Sequence, residues 1–239
     1  MTDLPTYRCV TFPSEGPESL TKEFVGAFIV DSMGNDKRVA DVARVSFDRF
    51  EKGRKKEDDD RLIRFLANAE HTSPFRHVFL TFQCHAPIYI ARQLVKHCVG
   101  MSWNEVSRRY VKDERWYHLP EDIRQQDANL KQGSVPGSKV PFAGDYLYQA
   151  YREADFAYEA MLGFNAAREQ ARMALPTALM TKWIWSGSLQ GFAHAVRLRL
   201  AKDAQAECAP VMEPIRRELM RITPVAMEAF GLTEIDNGT

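Results

Sequence analysis

The chain has 239 residues, near the upper limit for one hydrophobic core, so a single domain over residues 1–239 is expected. Apolar residues make up 45% and charged residues 27%, which excludes a disordered or fibrous chain. The 32 Lys and Arg balance the 32 Asp and Glu, which argues against a protein that coats nucleic acid or a membrane surface and makes any anion site local.

Residues 1–24, with Pro5, Pro13 and Pro17, read as irregular or edge structure. Phe24 to Val30 is a short apolar run expected to form a strand, ending in a turn over Ser32–Asp36. Val39 to Phe47 follows with apolar residues at helical or mixed spacing. The charge block at 51–61 reads as a solvated loop leading into a helix, with Asp58–Asp60 at the helix start, where the dipole favours acid. Leu62, Phe65, Leu66 and Ala69 then mark an amphipathic helix. Alternation of Val78, Leu80, Phe82 and Cys84 predicts a strand, and Pro87 fits the first turn of a helix running to about Lys96. Residues 122–142, rich in Gly, Ser, Pro and Gln, are expected to form a mobile loop or lid. Leu147 to Leu162 predicts a long helix, Met180 to Trp185 a strand, and Leu189 to Leu200 another helix. The C-terminal part reads as helical, interrupted by Pro210, Pro214 and Pro224. The expected class is α+β, with a mixed or antiparallel sheet and several long helices.

The four cysteines, at 9, 84, 98 and 208, have neither CxxC nor metal-knuckle spacing, so they read as reduced thiols. No His/Cys/Asp/Glu set has metal-ligand spacing, and no metal is expected. The first residues lack a basic segment followed by an apolar run, and no stretch has the length of a membrane span, so a cytoplasmic protein is expected.

The segment from Ala91 to Tyr110 stands apart from this average. It gathers Arg92, Gln93, Lys96, His97, Asn104, Glu105, Ser107, Arg108 and Arg109, with Trp103 and Tyr110 among the charges. On a helix from Pro87, Arg92, Gln93 and Lys96 would share a face. Gly100 and Ser102 would then open a loop whose backbone N–H groups and arginines cradle a phosphate. Arginine suits that task because its planar fork binds phosphate oxygens two at a time. A solvated charged helix and a surface loop are the bland alternative.

ARQ-x-x-KH followed by WNE-x-S-x-RY resembles the signature of the flavin-dependent thymidylate synthases. The core is altered: Lys96-His97-Cys98 stands where the family has Arg-His-Arg, with eight residues rather than seven before Ser107, as in a divergent branch. MGNDKRVADVARVSF (33–47), HTSPFRHVFLTF (71–82), ARMALP (171–176) and SGSLQGFAHAVRLRLAKDAQAE (186–207) resemble further family segments in the same order. The resemblance spans about 33–207.

It implies methylation of dUMP to dTMP, with 5,10-methylenetetrahydrofolate as carbon donor and FAD, reduced by NADPH, as hydride source. It also implies a homotetramer with shared active sites. Uracil C5 is a weak nucleophile, so a cation near O4 and N3 must stabilise charge on the ring. The family arginine that does this matches Arg199. By the same matching Gln93, Lys96, Glu105, Ser107, Arg108, Arg109 and Arg172 surround dUMP, with Arg109 and Arg172 facing its phosphate. Ser46, Ser73, Lys96, His97, Cys98, Glu105, Ser188, Gln190 and His194 match FAD-contacting positions. Ser188 and Gln190 stand where Asn and Arg are common, and Cys98 lacks the charge of the arginine it replaces.

Two alternatives remain at this stage. One is a related pyrimidine nucleotide hydroxymethylase, or an enzyme using Cys98 as a nucleophile; the other is a non-enzymatic single-stranded nucleic-acid binder, since Arg and aromatics interleave from Trp103 to Tyr117.

Overall fold

The computed structural model describes residues 5–13, 18–48, 55–111, 114–129, 134–135 and 137–233, and their fold is α+β. Chain contacts divide it into two units: residues 1–26, 85–93 and 105–183, and residues 27–84, 94–104 and 184–239.

The first unit holds strands β1 (Thr6–Thr11) and β2 (Ser19–Phe24) and part of β3 (Gly26–Met33). Residues 5–13 and 18–24 are therefore more ordered than the neighbouring prolines imply. Pro5 and Pro13 lie just outside β1 and spare its ladder, while Pro17 is outside the described residues. β1 pairs antiparallel with β2 on one side and with β6 (Tyr117–His118) on the other, giving the order β2-β1-β6. Val10 and Phe12 pack with Tyr117, Leu119, Tyr151 and Leu179 in the core of this unit. Helix α4 (Ala143–Gly163) supplies Tyr151 and buries Tyr151, Asp155 and Tyr158 along one stripe. Within the expected loop at 122–142, Gln126 and Ser134 form an isolated bridge, and residues 130–133 and 136 lie outside the described residues.

The second unit takes up β3 from Ala27 and continues with α1 (Asp36–Arg44) and α2 (Lys56–Asn68). The charge block is described only from residue 55; from there it forms the first turn of α2, with Glu57, Asp58 and Asp59 at the positive end of the helix. The buried face of α2 is Ile63 and Leu66, whereas Phe65 is 59% exposed. The expected stripe through Phe65 is thus turned by somewhat less than a quarter of a revolution. Two apolar rows overlap on this helix, and the tertiary partners choose between them.

Strand β4 (Phe79–Pro87) buries Leu80, Phe82, Cys84 and Ala86 in the expected alternation. Pro87 closes this strand instead of opening a helix. Helix α3 (Ile88–Leu94) starts after it, its first N–H groups donating to the carbonyls of Leu179 and Thr177. The helix ends at Leu94, so Lys96 does not share its face with Arg92 and Gln93. The expected loop after Gly100 is in part strand β5 (Met101–Glu105). β7 (Met180–Ser188) completes a sheet of order β3-β4-β7-β5. The division between units falls inside β4, after Cys84, and inside β7, after Trp183.

The core of the second unit includes Phe82, Trp185 and Phe192, with ring centroids 5.0–5.1 Å apart in T-shaped pairs. Trp183 and Trp185 are 2% and 0% exposed. Helices α6 (Leu189–Arg199), α7 (Ala209–Ile222) and α8 (Pro224–Ala229) follow, with the short α5 (Arg168–Ala171) in the first unit.

Asp36 ties the two ends of the second unit together. Its carboxylate accepts hydrogen bonds from the N–H groups of Val225 (2.8 Å) and Ala226 (3.0 Å) at the start of α8. Asp36→Ala is expected to cost about 1–2 kcal/mol, since two N–H groups at a helix start lose a charged acceptor. Urea unfolding checks this: the midpoint should fall with an unchanged slope, and an unmoved midpoint would remove Asp36 from the stabilising contacts.

Candidate active site

Most of the matched residues fall into two groups, each within one unit. In the second unit a cavity of about 490 Å³ is lined by Thr72, Arg76, Lys96, His97, Cys98, Val99, Gly100, Ser188, Gln190, Gly191 and His194. The chain leaves α3 at Leu94, turns back through a hydrogen bond from His97 N–H to the Leu94 carbonyl, and reaches Gly100 at φ +69°. That left-handed backbone is the reason for glycine there. The turn presents Lys96, His97 and Cys98 to the cavity. Opposite them stands the N-terminus of α6, where Ser188 Oγ accepts from the Gly191 N–H at 3.2 Å.

Ser188 is 4% exposed and its hydroxyl caps the helix, a structural task. The Gln190 Oε1 atom is buried and has no hydrogen-bond partner among the described residues. Buried amide oxygens are rarely left this way, so a donor from a ligand fits the position. Among the described residues no carboxylate lines the cavity, and two cations do, Arg76 and Lys96. Neutral acceptors beside cations suit a polar, anionic cofactor such as FAD.

His97 links this cavity to Arg199. The Arg199 Nε–H donates to His97 Nε2 at 3.0 Å, which places the remaining ring proton on Nδ1. Burial, then the Arg199 charge, then His194 push the His97 pKa down to about 4. The ring is therefore a neutral acceptor at physiological pH, and it orients the arginine fork without opposing its charge.

In the first unit a cavity of about 350 Å³ is lined by Ile88, Glu105, Val106, Ser107, Arg108, Arg172, Leu175, Leu179, Met180 and Thr181. The Thr181 hydroxyl donates to Glu105 Oε1 at 3.0 Å and fixes that carboxylate at the end of β5. Val106 N–H donates to the Lys182 carbonyl, continuing the register. The backbone that follows is closed on itself from Arg109 onward. The N–H groups of Tyr110 and Val111 donate to the Ser107 carbonyl at 3.0 and 3.2 Å, and that of Arg109 contacts Ser107 Oγ at 3.4 Å. These donors are already spent, so the cations available in this cavity are the side chains of Arg108 and Arg172.

Other matched positions lie apart. Arg109 is exposed and rests over the Tyr110 ring at 5.0 Å. Gln93, on α3, belongs to the first unit, whereas Lys96 belongs to the second. Ser46 and Ser73 are exposed and line neither cavity. Thr72, Arg76 and Thr181 were missed from sequence. Arg76 occupies the variable position of HTSPFRH, where only the flanking residues carried a signal, and Thr181 is 76 residues from its partner.

His85 shows the same protonation behaviour as His97. Burial first, then the charge of Lys182, push its pKa down to about 4. In the unfolded chain both rings titrate near about 6.5. As pH falls from about 6.5 to 4 the unfolded state binds the extra protons, so stability falls with pH across that window. Glu23 and Asp36, raised above the usual carboxylate range chiefly by burial, act in the opposite sense only toward its lower end. The expected result is a lower melting temperature at pH 5 than at pH 7, with the difference reduced in a His85→Gln, His97→Gln double variant. Equal pH dependence in both proteins would show that these rings are not the cause.

Of the four cysteines, all free, Cys9, Cys84 and Cys208 are buried and only Cys98 is exposed. No described helix is long and apolar enough to cross a membrane.

The family model for thymidylate synthase complementing protein matches residues 28–225. A flavin-dependent thymidylate synthase from Thermus thermophilus is 37% identical over 219 residues, covering 90% of this chain and 79% of the relative. One from Treponema pallidum is 35% identical over 223 residues, covering 91% and 72%. Among solved structures, a UMP/dUMP methylase, PolB, from Streptomyces cacaoi bound with 5-Br dUMP superposes with a TM-score of 0.77 at 28% identity, covering 87% of this chain and 94% of that one. The same protein bound with 5-Br UMP gives 0.71 at 26%, covering 87% and 93%.

Proposed function

The chain belongs to the thymidylate synthase complementing family, with relatives named flavin-dependent thymidylate synthases, and from that premise we propose that it methylates dUMP to dTMP with FAD as cofactor. The family model runs through both units, so we treat residues 1–239 as one family domain. The hydroxymethylase alternative is not favoured, because the relatives and structural neighbours are named for thymidylate synthesis and methylation.

The observation that carries the reading is the sorting of matched residues into two cavities suited to two ligands. Lys96, His97, Cys98, Gln190 and His194 line the one in the second unit, which we assign to FAD. Ser188 frames it by capping α6, and Ser46 and Ser73 are proposed as outlying contacts. Glu105, Ser107, Arg108 and Arg172 line the other, which we assign to dUMP. Arg108 and Arg172 neutralise the phosphate, Arg109 adds charge at the rim, and Ser107 and the anchored Glu105 hydrogen-bond to the sugar and base. Gln93 and Lys96 are proposed as further nucleotide contacts, and Glu105 as a contact to both ligands.

In the reaction C5 of dUMP loses its proton and gains a one-carbon unit, which two electrons reduce to methyl. Reduced FAD, when bound, supplies those electrons as hydride. Arg199, held by neutral His97, is proposed as the fixed positive charge that offsets the negative charge developing on uracil O4 and N3. We further propose 5,10-methylenetetrahydrofolate as carbon donor, NADPH as reductant, a cytoplasmic homotetramer with shared sites, and no nucleic-acid, membrane or metal partner. Purified protein should show flavin absorption bands and form dTMP only with FAD present. A colourless protein that takes up no FAD and makes no dTMP would overturn the proposal.

A further inference from the structure

We infer that Arg76 holds a phosphate of the flavin, supplying the charge that Cys98 lacks. The inference rests on the assignment of the second unit's cavity to FAD.

Cys98 stands where the family signature that this segment resembles has an arginine, and its thiol cannot replace a guanidinium as a phosphate ligand. The cavity nevertheless has a guanidinium, delivered from another segment. Residues Pro74–His77 form a single 3₁₀ turn whose inner side chains, Pro74 and Phe75, are buried. Phe75 is 1% exposed, and its ring centroid lies 4.8 Å from that of Phe230. That anchor fixes the turn and leaves Arg76 exposed on its outer side, lining the same cavity as Lys96 and Cys98.

The partner of Arg76 is neutral: its Nη2 donates to Thr72 Oγ1 at 2.8 Å. This bond orients the fork without cancelling its charge. Among the described residues no carboxylate lines the cavity to pair with Arg76 or Lys96. The N-terminus of the 11-residue α6 also borders it through Gln190 and Gly191, adding the positive end of a helix dipole. Two uncompensated cations and a helix start exceed what a neutral isoalloxazine ring requires. They match a phosphate, for which the arginine fork can bind two oxygens at once. A merely solvated arginine would not require a cavity free of acid around it.

The test is titration of FAD and of riboflavin, which lacks phosphate, followed by quenching of flavin fluorescence. Arg76→Gln is expected to weaken FAD binding about 10- to 100-fold, the size of one charge-assisted contact. Riboflavin binding should stay within about two-fold by the same reasoning, since it has no phosphate to lose. Arg76→Lys should recover part of the FAD affinity, and adding Cys98→Arg to Arg76→Gln should recover more. Unchanged FAD affinity in Arg76→Gln overturns the inference and leaves the flavin assignment standing. So does an equal loss for FAD and riboflavin, which would mean a distorted cavity. Wild-type protein with no affinity for FAD would remove the flavin assignment itself.

Discussion

Arg199→Ala is expected to fold normally and to lose about 100- to 1,000-fold in turnover of dUMP, the usual size of one lost charge-stabilising group. The side chain is part-exposed at the C-terminal end of α6, so its removal opens no cavity in the core. Its one described hydrogen bond is to His97 Nε2 at 3.0 Å. That bond explains why arginine is needed. Nε is spent on orientation, and the terminal nitrogens keep the charge available to the ring. Lysine at 199 would carry the charge but could not do both, so Arg199→Lys should recover only a minor part of the rate. The loss should appear mainly in kcat, because the charge on uracil develops on the way to the transition state. Single-turnover formation of dTMP, measured beside the melting temperature, checks this. Near-normal turnover would take Arg199 out of the mechanism.

The largest effect on stability is expected at Asp155. This carboxylate is 2% exposed on the inner stripe of α4. It accepts Arg115 Nε at 2.6 Å, Arg115 Nη2 at 2.9 Å and the Tyr117 hydroxyl at 2.5 Å. Arg115 also pairs with Glu159 at 2.6 Å and lies over the Tyr158 ring at 4.8 Å. Burial and the hydrogen bond to Asp155 together push the Tyr117 pKa far above its ordinary value. Asp155→Ala would leave a buried guanidinium short of its counter-charge and a buried phenol without its acceptor. A cost of about 3–5 kcal/mol is expected, as for other broken buried pairs. Asp155→Ala with Arg115→Met should be more stable than Asp155→Ala alone, because the stranded charge leaves as well. Urea unfolding of the three proteins gives the answer. A cost under about 1 kcal/mol, the range of surface pairs, would contradict a buried network.

Much of this fold is legible in the residues themselves. The alternation of Leu80, Phe82 and Cys84 marks β4, and the spacing from Leu189 to Val196 marks α6, because each element has one buried face with a clear period. Legibility fails where two readings share a period. Helix α2 could bury Phe65 or Ile63, and only its packing partners decide. Asp155 is hidden for a related reason: a carboxylate among Tyr151 and Tyr158 reads as the polar side of a helix until Arg115 is seen against it. The boundaries between units carry no compositional mark, since they fall inside β4 and β7.

The site divides similarly. Resemblance points to His97 and Arg199, but their contact joins residues 102 positions apart and has no local signal. The same holds for Glu105 and Thr181. Arg76 was passed over because the motif around it is recognised by its Pro, Phe and His. Conversely, within the expected phosphate loop at Asn104–Tyr110 the N–H groups of Arg109 and Tyr110 turn to Ser107. A run of arginines near a glycine states the available charge, whereas the free donors depend on how the turn closes.

Release of tritium from dUMP labelled at C5 tests the central assignment most directly. With FAD, NADPH and 5,10-methylenetetrahydrofolate present, the expected result is one tritium released for each dTMP formed, and none when FAD is omitted. Release that proceeds equally without FAD, or none above the enzyme-free control, would contradict a flavin-dependent methylation of dUMP by this chain.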